Sequence, residues 1–245
     1  MTNQATLEKL GMLRLKGMKN AFTAYLETAT TYTNDELVGH LTEAEWSHRQ
    51  QLRLARLLKN ARFRYPVQIA DLDFNASRGL DKNLVLRLTD GSFIKAKENL
   101  IITGATGVGK SFIASALGHQ ACMMGYKTTY FNTRKLFHQL NASLADNSYM
   151  KLIAKIEKQD LLILDDFGLY PLDGKARQAL MEIVEDRHQK SSTIITSQLP
   201  VDKWHGIIGE SAIADAVLDR VVHAAHRIEL KGESLRRKRK TQPEN

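Results

Sequence analysis

Leu100-Ile101-Ile102-Thr103-Gly104-Ala105-Thr106-Gly107-Val108-Gly109-Lys110-Ser111-Phe112 is the stretch on which the fold turns. Its first four residues read as a buried strand. Gly104 to Ser111 fit Gly-x-x-x-x-Gly-Lys-Ser/Thr at every position. The run Phe112-Ile113-Ala114-Ser115-Ala116-Leu117 is helix-forming. Strand, glycine loop and helix in that order make a phosphate cradle. Glycines let successive backbone N–H groups turn toward phosphate oxygens, and the helix adds the partial positive charge of its N-terminus. Gly104, Ala105, Thr106, Gly107, Val108, Gly109, Lys110, Ser111 and Phe112 are the candidate nucleotide-binding residues. Lys110 is expected to reach the β- and γ-phosphates, and Ser111 to ligate Mg²⁺. A glycine-rich turn arising by chance would lack the strand and the helix.

Leu161-Leu162-Ile163-Leu164-Asp165-Asp166 follows downstream. An apolar strand ending in acid sets carboxylates at the C-terminal edge of a sheet, beside the phosphate loop. Asp165 is expected to hold Mg²⁺ and Asp166 to orient or deprotonate an attacking water. Hydrolysis of a nucleoside triphosphate is the expected chemistry, with ATP and Mg²⁺ as cofactors.

Outward from these motifs, β-rich runs at 100–103, 128–131, 161–165, 193–197 and 227–230 alternate with helical stretches at 110–124, 134–143, 148–159 and 174–190. That alternation predicts an α/β fold, a five-stranded parallel sheet flanked by helices. Residues 1–64 contain no proline and read as helical, with Asn34-Asp35-Glu36 opening a long helix that Tyr65-Pro66 ends. Three regions are expected: a basic, all-helical N-terminal domain over 1–68, the nucleotide-binding domain over 69–232, and a basic tail over 233–245.

The chain has 245 residues, enough for an α/β domain and an appendage. Cys122 is the single cysteine, which excludes an internal disulfide framework and fits a reducing compartment. No apolar run approaches the roughly 20 residues of a membrane span, and the first residues lack a signal-peptide layout, so a soluble cytoplasmic protein without membrane partners is expected. The net charge of +8 is uneven. Residues 1–65 hold ten Lys/Arg against six Asp/Glu, 66–230 hold nineteen of each, and 231–245 hold six against two. A neutral body with two basic ends points to a polyanion.

Arg49, Arg53, Arg56, Lys59, Arg62 and Arg64 lie in a segment without an acid from Ser47 to Ala70. Spacings of four and three put the first of them on one helical stripe, suited to phosphates and indifferent to base sequence. The alternative is a solvated face with aliphatic stems over leucines. Arg14, Lys16 and Lys19 are further candidate DNA contacts. His223 and His226 have no evident third metal ligand, and Trp46 and Trp204 read as structural.

The chain resembles the AAA+ ATPases, specifically the IstB-like transposition helpers and the related DnaC-type helicase loaders. The resemblance spans nearly all of it and rests on G-A-T-G-V-G-K-S, L-L-I-L-D-D-F-G, I-I-T-S-Q-L-P and the ending A-V-L-D-R-V-V-H-A-A-H-R-I-E-L-K-G-E-S-L-R-R-K. It implies that Gln198, with Ser197 as the next choice, senses the γ-phosphate, and that Arg220 is an arginine finger reaching a neighbouring subunit's site. The implied partners are duplex DNA, a cognate transposase and further copies of the chain. The implied activity is a DNA-stimulated ATPase that oligomerises on target DNA and recruits or stimulates the transposase. Two departures stand out. Asp166 replaces the commoner Glu, and a C-terminal lid must be short or absent, leaving Arg236 or Arg237 to replace a lid-borne sensor. The rivals are a helicase loader, a P-loop small-molecule kinase, and a nucleotide-gated DNA binder with negligible turnover.

Overall fold

The structure, a computed structural model, describes residues 2–28, 31–74, 79–223 and 225–235. It divides into two compact units, 1–56 and 57–245.

The first unit holds helices α1 (Asn3–Met12) and α2 (Lys16–Glu27) and most of α3 (Asn34–Ala61). Among its described residues only Gly17 and Glu45 are buried. A Cβ on Gly17 would collide with the Ala44 carbonyl, so α2 and α3 meet at backbone contact there. Glu45 closes the same crossing. Its Oε2 accepts from the N–H groups of Gly17 (2.8 Å) and Met18 (3.2 Å), satisfying donors at the start of α2. Its Oε1 accepts from Arg49 Nε at 2.7 Å. α3 stops at Ala61 because Arg62 turns left-handed, at φ 55°, a common helix exit. That is before the Tyr65-Pro66 step at which the sequence predicts its end.

The second unit carries α4 (Lys82–Leu88) and α5 (Ser92–Lys95), then a sheet with its connections. The strands are β1 (Asn99–Gly104), β2 (Thr128–Asn132), β3 (Leu161–Phe167), β4 (Ser192–Ser197) and β5 (Ala225–Leu230). All pairs are parallel, in the order β2-β3-β4-β1-β5. α6 (Lys110–Met123) follows β1; α7 (Thr133–Ser143) and α8 (Tyr149–Glu157) follow β2. α9 (Gly174–Arg187) follows β3, and α10 (Trp204–Ile208) and α11 (Ser211–Val222) follow β4.

Strand side chains alternate between two cores. Leu100, Ile102, Leu161 and Ile163 join α6, while Ile101, Leu162, Leu164 and Ile195 join the helices of the other face. The near-continuous apolar strands follow from burial on both faces. Cys122 is packing on α6, and burial pushes its thiol pKa up. Trp204 is 1% exposed and meets Phe167 edge-on. At the far end of the sheet, buried Arg187 donates to the carbonyls of Ile156, Gln159 and Ser192, and burial draws its pKa down to about 10. No described helix is long and apolar enough to cross a membrane.

Candidate nucleotide-binding site

The predicted loop lies between β1 and α6. Gly104, Gly107 and Gly109 have φ of 144°, 81° and 104°, conformations that side chains resist. A Cβ on Gly104 would collide with the Leu230 carbonyl, and one on Gly107 with the Ser234 side chain. Leu235 N donates to Gly107 O at 3.0 Å, so the segment after β5 crosses the loop. Arg236 and Arg237 lie outside the described residues, as does everything after Leu235. Val108 is buried, whereas Ala105 and Thr106 are exposed. The Lys110 ammonium donates to Gly104 O and Ala105 O, each at 2.8 Å. Phe112 packs its ring 5.9 Å from that of Tyr65.

Asp165 is fully buried at the C-terminal end of β3. Its Oδ1 accepts from Ser111 (2.7 Å) and Thr196 (2.6 Å). Its Oδ2 accepts from Tyr130 in a short contact and from Arg64 Nη1 at 3.1 Å. Burial first, then the adjoining carboxylate, pushes the Tyr130 phenol far above its usual pKa, so it stays a donor. The β3–β4 register shifts between Leu164 and Phe167, and Asp166 is left-handed at φ 59°. This bulge turns the Asp166 carboxylate toward the site. Its Oδ2 accepts from Asn132 Nδ2 and from Arg64 Nη1, both at 3.2 Å, and its N–H is held by Thr196 Oγ1.

The donor set fits a magnesium ion. A carboxylate and a hydroxyl, both hard oxygens, converge beside a phosphate-type loop, and Mg²⁺ takes few protein ligands alongside phosphate and water. Among the described residues no cluster of three or more His, Cys, Asp or Glu forms a protein-only metal site. His223 lies past the end of α11, while His226 is on β5 and contacts Glu98 at 2.7 Å.

Tyr130, Asn132 and Thr196 were not signalled by any motif; they reach Asp165 or Asp166 only through strand pairing. Arg64, the last cation of the basic segment, turns its guanidinium to the two acids. Ser197, the second choice as sensor, is fully buried and donates to Phe167 O at 2.8 Å. Gln198 follows the last residue of β4 and is half-buried. Arg220 is in the last turn of α11, with Nε 2.7 Å from Glu185 Oε2 and Nη1 3.0 Å from Ala216 O. The carboxylate that Arg220 meets is that of Glu185, on α9. Arg220 O accepts from the side chain of Asn99, which opens β1, whereas the phosphate loop leaves the other end of that strand.

Arg49, Arg53, Arg56 and Lys59 are all exposed on α3, and Arg14, Lys16 and Lys19 are exposed as well. Trp46 is 62% exposed, not structural as its sequence reading suggested, and helical spacing sets it on the stripe of Arg49, Arg53 and Arg56.

A parallel sheet in this order, a glycine loop leading into α6 and an acid pair on the adjoining strand define a P-loop nucleotide-binding protein of the AAA+ type. The profile of the IstB-like ATP binding proteins matches residues 8–243, and the chain belongs to that family. It is 46% identical over 234 residues to an insertion-sequence ATP-binding protein of Sinorhizobium fredii, covering 95% of this chain and 96% of that one. It is 42% identical over 203 residues to the ATP-binding protein of insertion sequence IS1162 of Pseudomonas fluorescens, covering 82% and 88%. The fold resembles the crystal structure of DnaI, with TM-score 0.57 and 20% identity over 72% of this chain and 94% of that one. It also resembles AMPPCP-bound DnaA from Aquifex aeolicus, with TM-score 0.57 and 16% identity over 71% and 53%.

Proposed function

We propose that this protein is an ATP-hydrolysing transposition helper that assembles on duplex DNA and recruits or stimulates a transposase. The observation that carries the ATPase reading is the convergence of Ser111 and Thr196 on buried Asp165, with Asp166 turned out at the bulge. The glycine loop binds the phosphates through its N–H groups, and Lys110 exchanges its two carbonyl partners for phosphate oxygens. Ser111 and Asp165 hold Mg²⁺, which when bound offsets charge on the phosphates. Asp166 orients the water and takes its proton, and Gln198 senses the γ-phosphate. Arg220 serves the site of an adjoining copy, and turnover resets the assembly.

The exposed cations of α3, joined by Arg14, Lys16 and Lys19, support binding to DNA phosphates with affinity that falls steeply with salt. Two relatives covered over most of their length are named as insertion-sequence proteins, which favours a transposase over a replicative helicase as the partner.

Light scattering of the purified protein with ATP, on duplex and on single-stranded DNA of equal length, tests the proposal. ATP-dependent assemblies on duplex alone are expected. Assembly confined to single strands would replace it with a helicase loader. Failure to assemble on either would remove the basis for a finger acting between subunits.

A further inference from the structure

Arg64 lies three residues beyond the end of α3, inside the segment Phe63–Val67, whose neighbours are fixed on α6. Phe63 fills the space beside Gly118, where a Cβ would collide with its ring. Tyr65 packs against Phe112, the residue after Ser111. Phe63 and Tyr65 thus bracket Arg64, and a single nitrogen of its guanidinium reaches Oδ2 of both Asp165 and Asp166. With Tyr130, Ser111 and Thr196 in place, Arg64 completes the ring of donors around Asp165.

The geometry points to Arg64 as a positioning residue of the hydrolytic centre, one that restrains Asp165 and Asp166. A guanidinium beside both carboxylates opposes a dication sharing Asp165. It also takes up a lone pair of Asp166 Oδ2, leaving that oxygen less open to a water. This inference rests on the ATPase reading above.

The test uses the full chain with Arg64→Ala, Arg64→Gln and Arg64→Lys. The Arg64 side chain is 38% exposed, and melting curves verify that each variant is folded. Binding of a fluorescent ATP analogue is titrated with Mg²⁺, duplex affinity is measured by anisotropy, and turnover is followed with and without duplex. In Arg64→Ala and Arg64→Gln the half-saturating Mg²⁺ concentration is expected to fall about tenfold, the usual scale of one adjoining charge on an ionic equilibrium. Turnover without DNA rises, and duplex affinity is kept. Arg64→Lys, with the charge but not the planar fork, falls between. An unchanged Mg²⁺ requirement overturns the inference. So does a large loss of duplex affinity, which would make Arg64 a DNA contact instead. If the wild-type chain neither binds nor responds to duplex, the DNA reading fails, while the Mg²⁺ shift still decides whether Arg64 restrains the acids.

Discussion

Asp166 combines a left-handed backbone with a carboxylate that takes hydrogen bonds from Asn132 and Arg64. Such a conformation costs a non-glycine residue on the order of 1 kcal/mol and persists where the surroundings impose it. Here they do: its N–H is held by Thr196, whose hydroxyl also meets Asp165. Asn tolerates the same conformation, so Asp166→Asn preserves the bulge and removes the basic oxygen. Nucleotide affinity and DNA-dependent assembly are expected to survive, while turnover drops by about 100-fold or more, the usual worth of a general base. Equilibrium nucleotide binding and single-turnover hydrolysis separate the two; near-normal turnover would move the water-activating role elsewhere. The loop and the acid pair were legible in the chain because each motif is contiguous, with residue types that phosphate chemistry restricts. Thr196, Tyr130 and Arg64 were not, because their meeting depends on strand register and on a connector folding back. Arg64 in particular closes a run of cations, and nothing in the sequence shows that the chain turns at Arg62 and carries it to the acids.

Among the elements, the five strands and the helices at 110–124, 134–143, 148–159 and 174–190 were readable because buried parallel strands are short apolar runs between longer amphipathic ones. Their observed ends differ by at most three residues. Helices α10 and α11 escaped notice: a glycine separates them, and their apolar residues follow Leu199-Pro200 without a helix-start signal. The first unit shows a different economy, with a glycine contact and Glu45 in place of a buried apolar core. The Arg49 hydrogen bond first, and the bonds from Met18 and Gly17, hold Glu45 below the ordinary Glu pKa. A carboxyl depressed on folding adds stability above its unfolded pKa and loses it as pH falls through the folded value. Glu45→Ala is expected to cost α2 about 1 kcal/mol at neutral pH, as loss of a helix-start acceptor does. Hydrogen exchange of peptides from α2 checks this as the variant-to-wild-type rate ratio, which cancels the intrinsic pH dependence. The ratio should exceed unity at pH 7 and approach it only once pH has fallen through the depressed folded-state pKa, where Glu45 is protonated in both states. A ratio that does not change with pH would assign the effect to packing alone.

At the scale of the whole molecule, the placement of Arg220 constrains how a finger can act. It lies beside the start of β1, and the phosphate loop follows the other end of that six-residue strand. At a rise of about 3.3 Å per residue the strand alone separates the two by roughly 17 Å, well beyond the reach of an arginine side chain. A role at phosphate therefore requires a second copy. Release from Glu185, whose side chain is 53% exposed, costs about 1 kcal/mol or less, because a partly exposed pair gains little over hydration. Arg220→Ala leaves its own loop and acids intact but lacks a finger to lend, whereas Asp166→Asn keeps the finger and lacks the acid. Each alone is expected to bind nucleotide and fail to turn over. Mixed in equal amounts with ATP and duplex, they should recover activity at interfaces where an Arg220→Ala site faces an Asp166→Asn neighbour. Recovery that rises with protein concentration is the signature of a site completed between copies. No recovery, although scattering shows that the two variants co-assemble, would leave Arg220 a partner of Glu185 and nothing more.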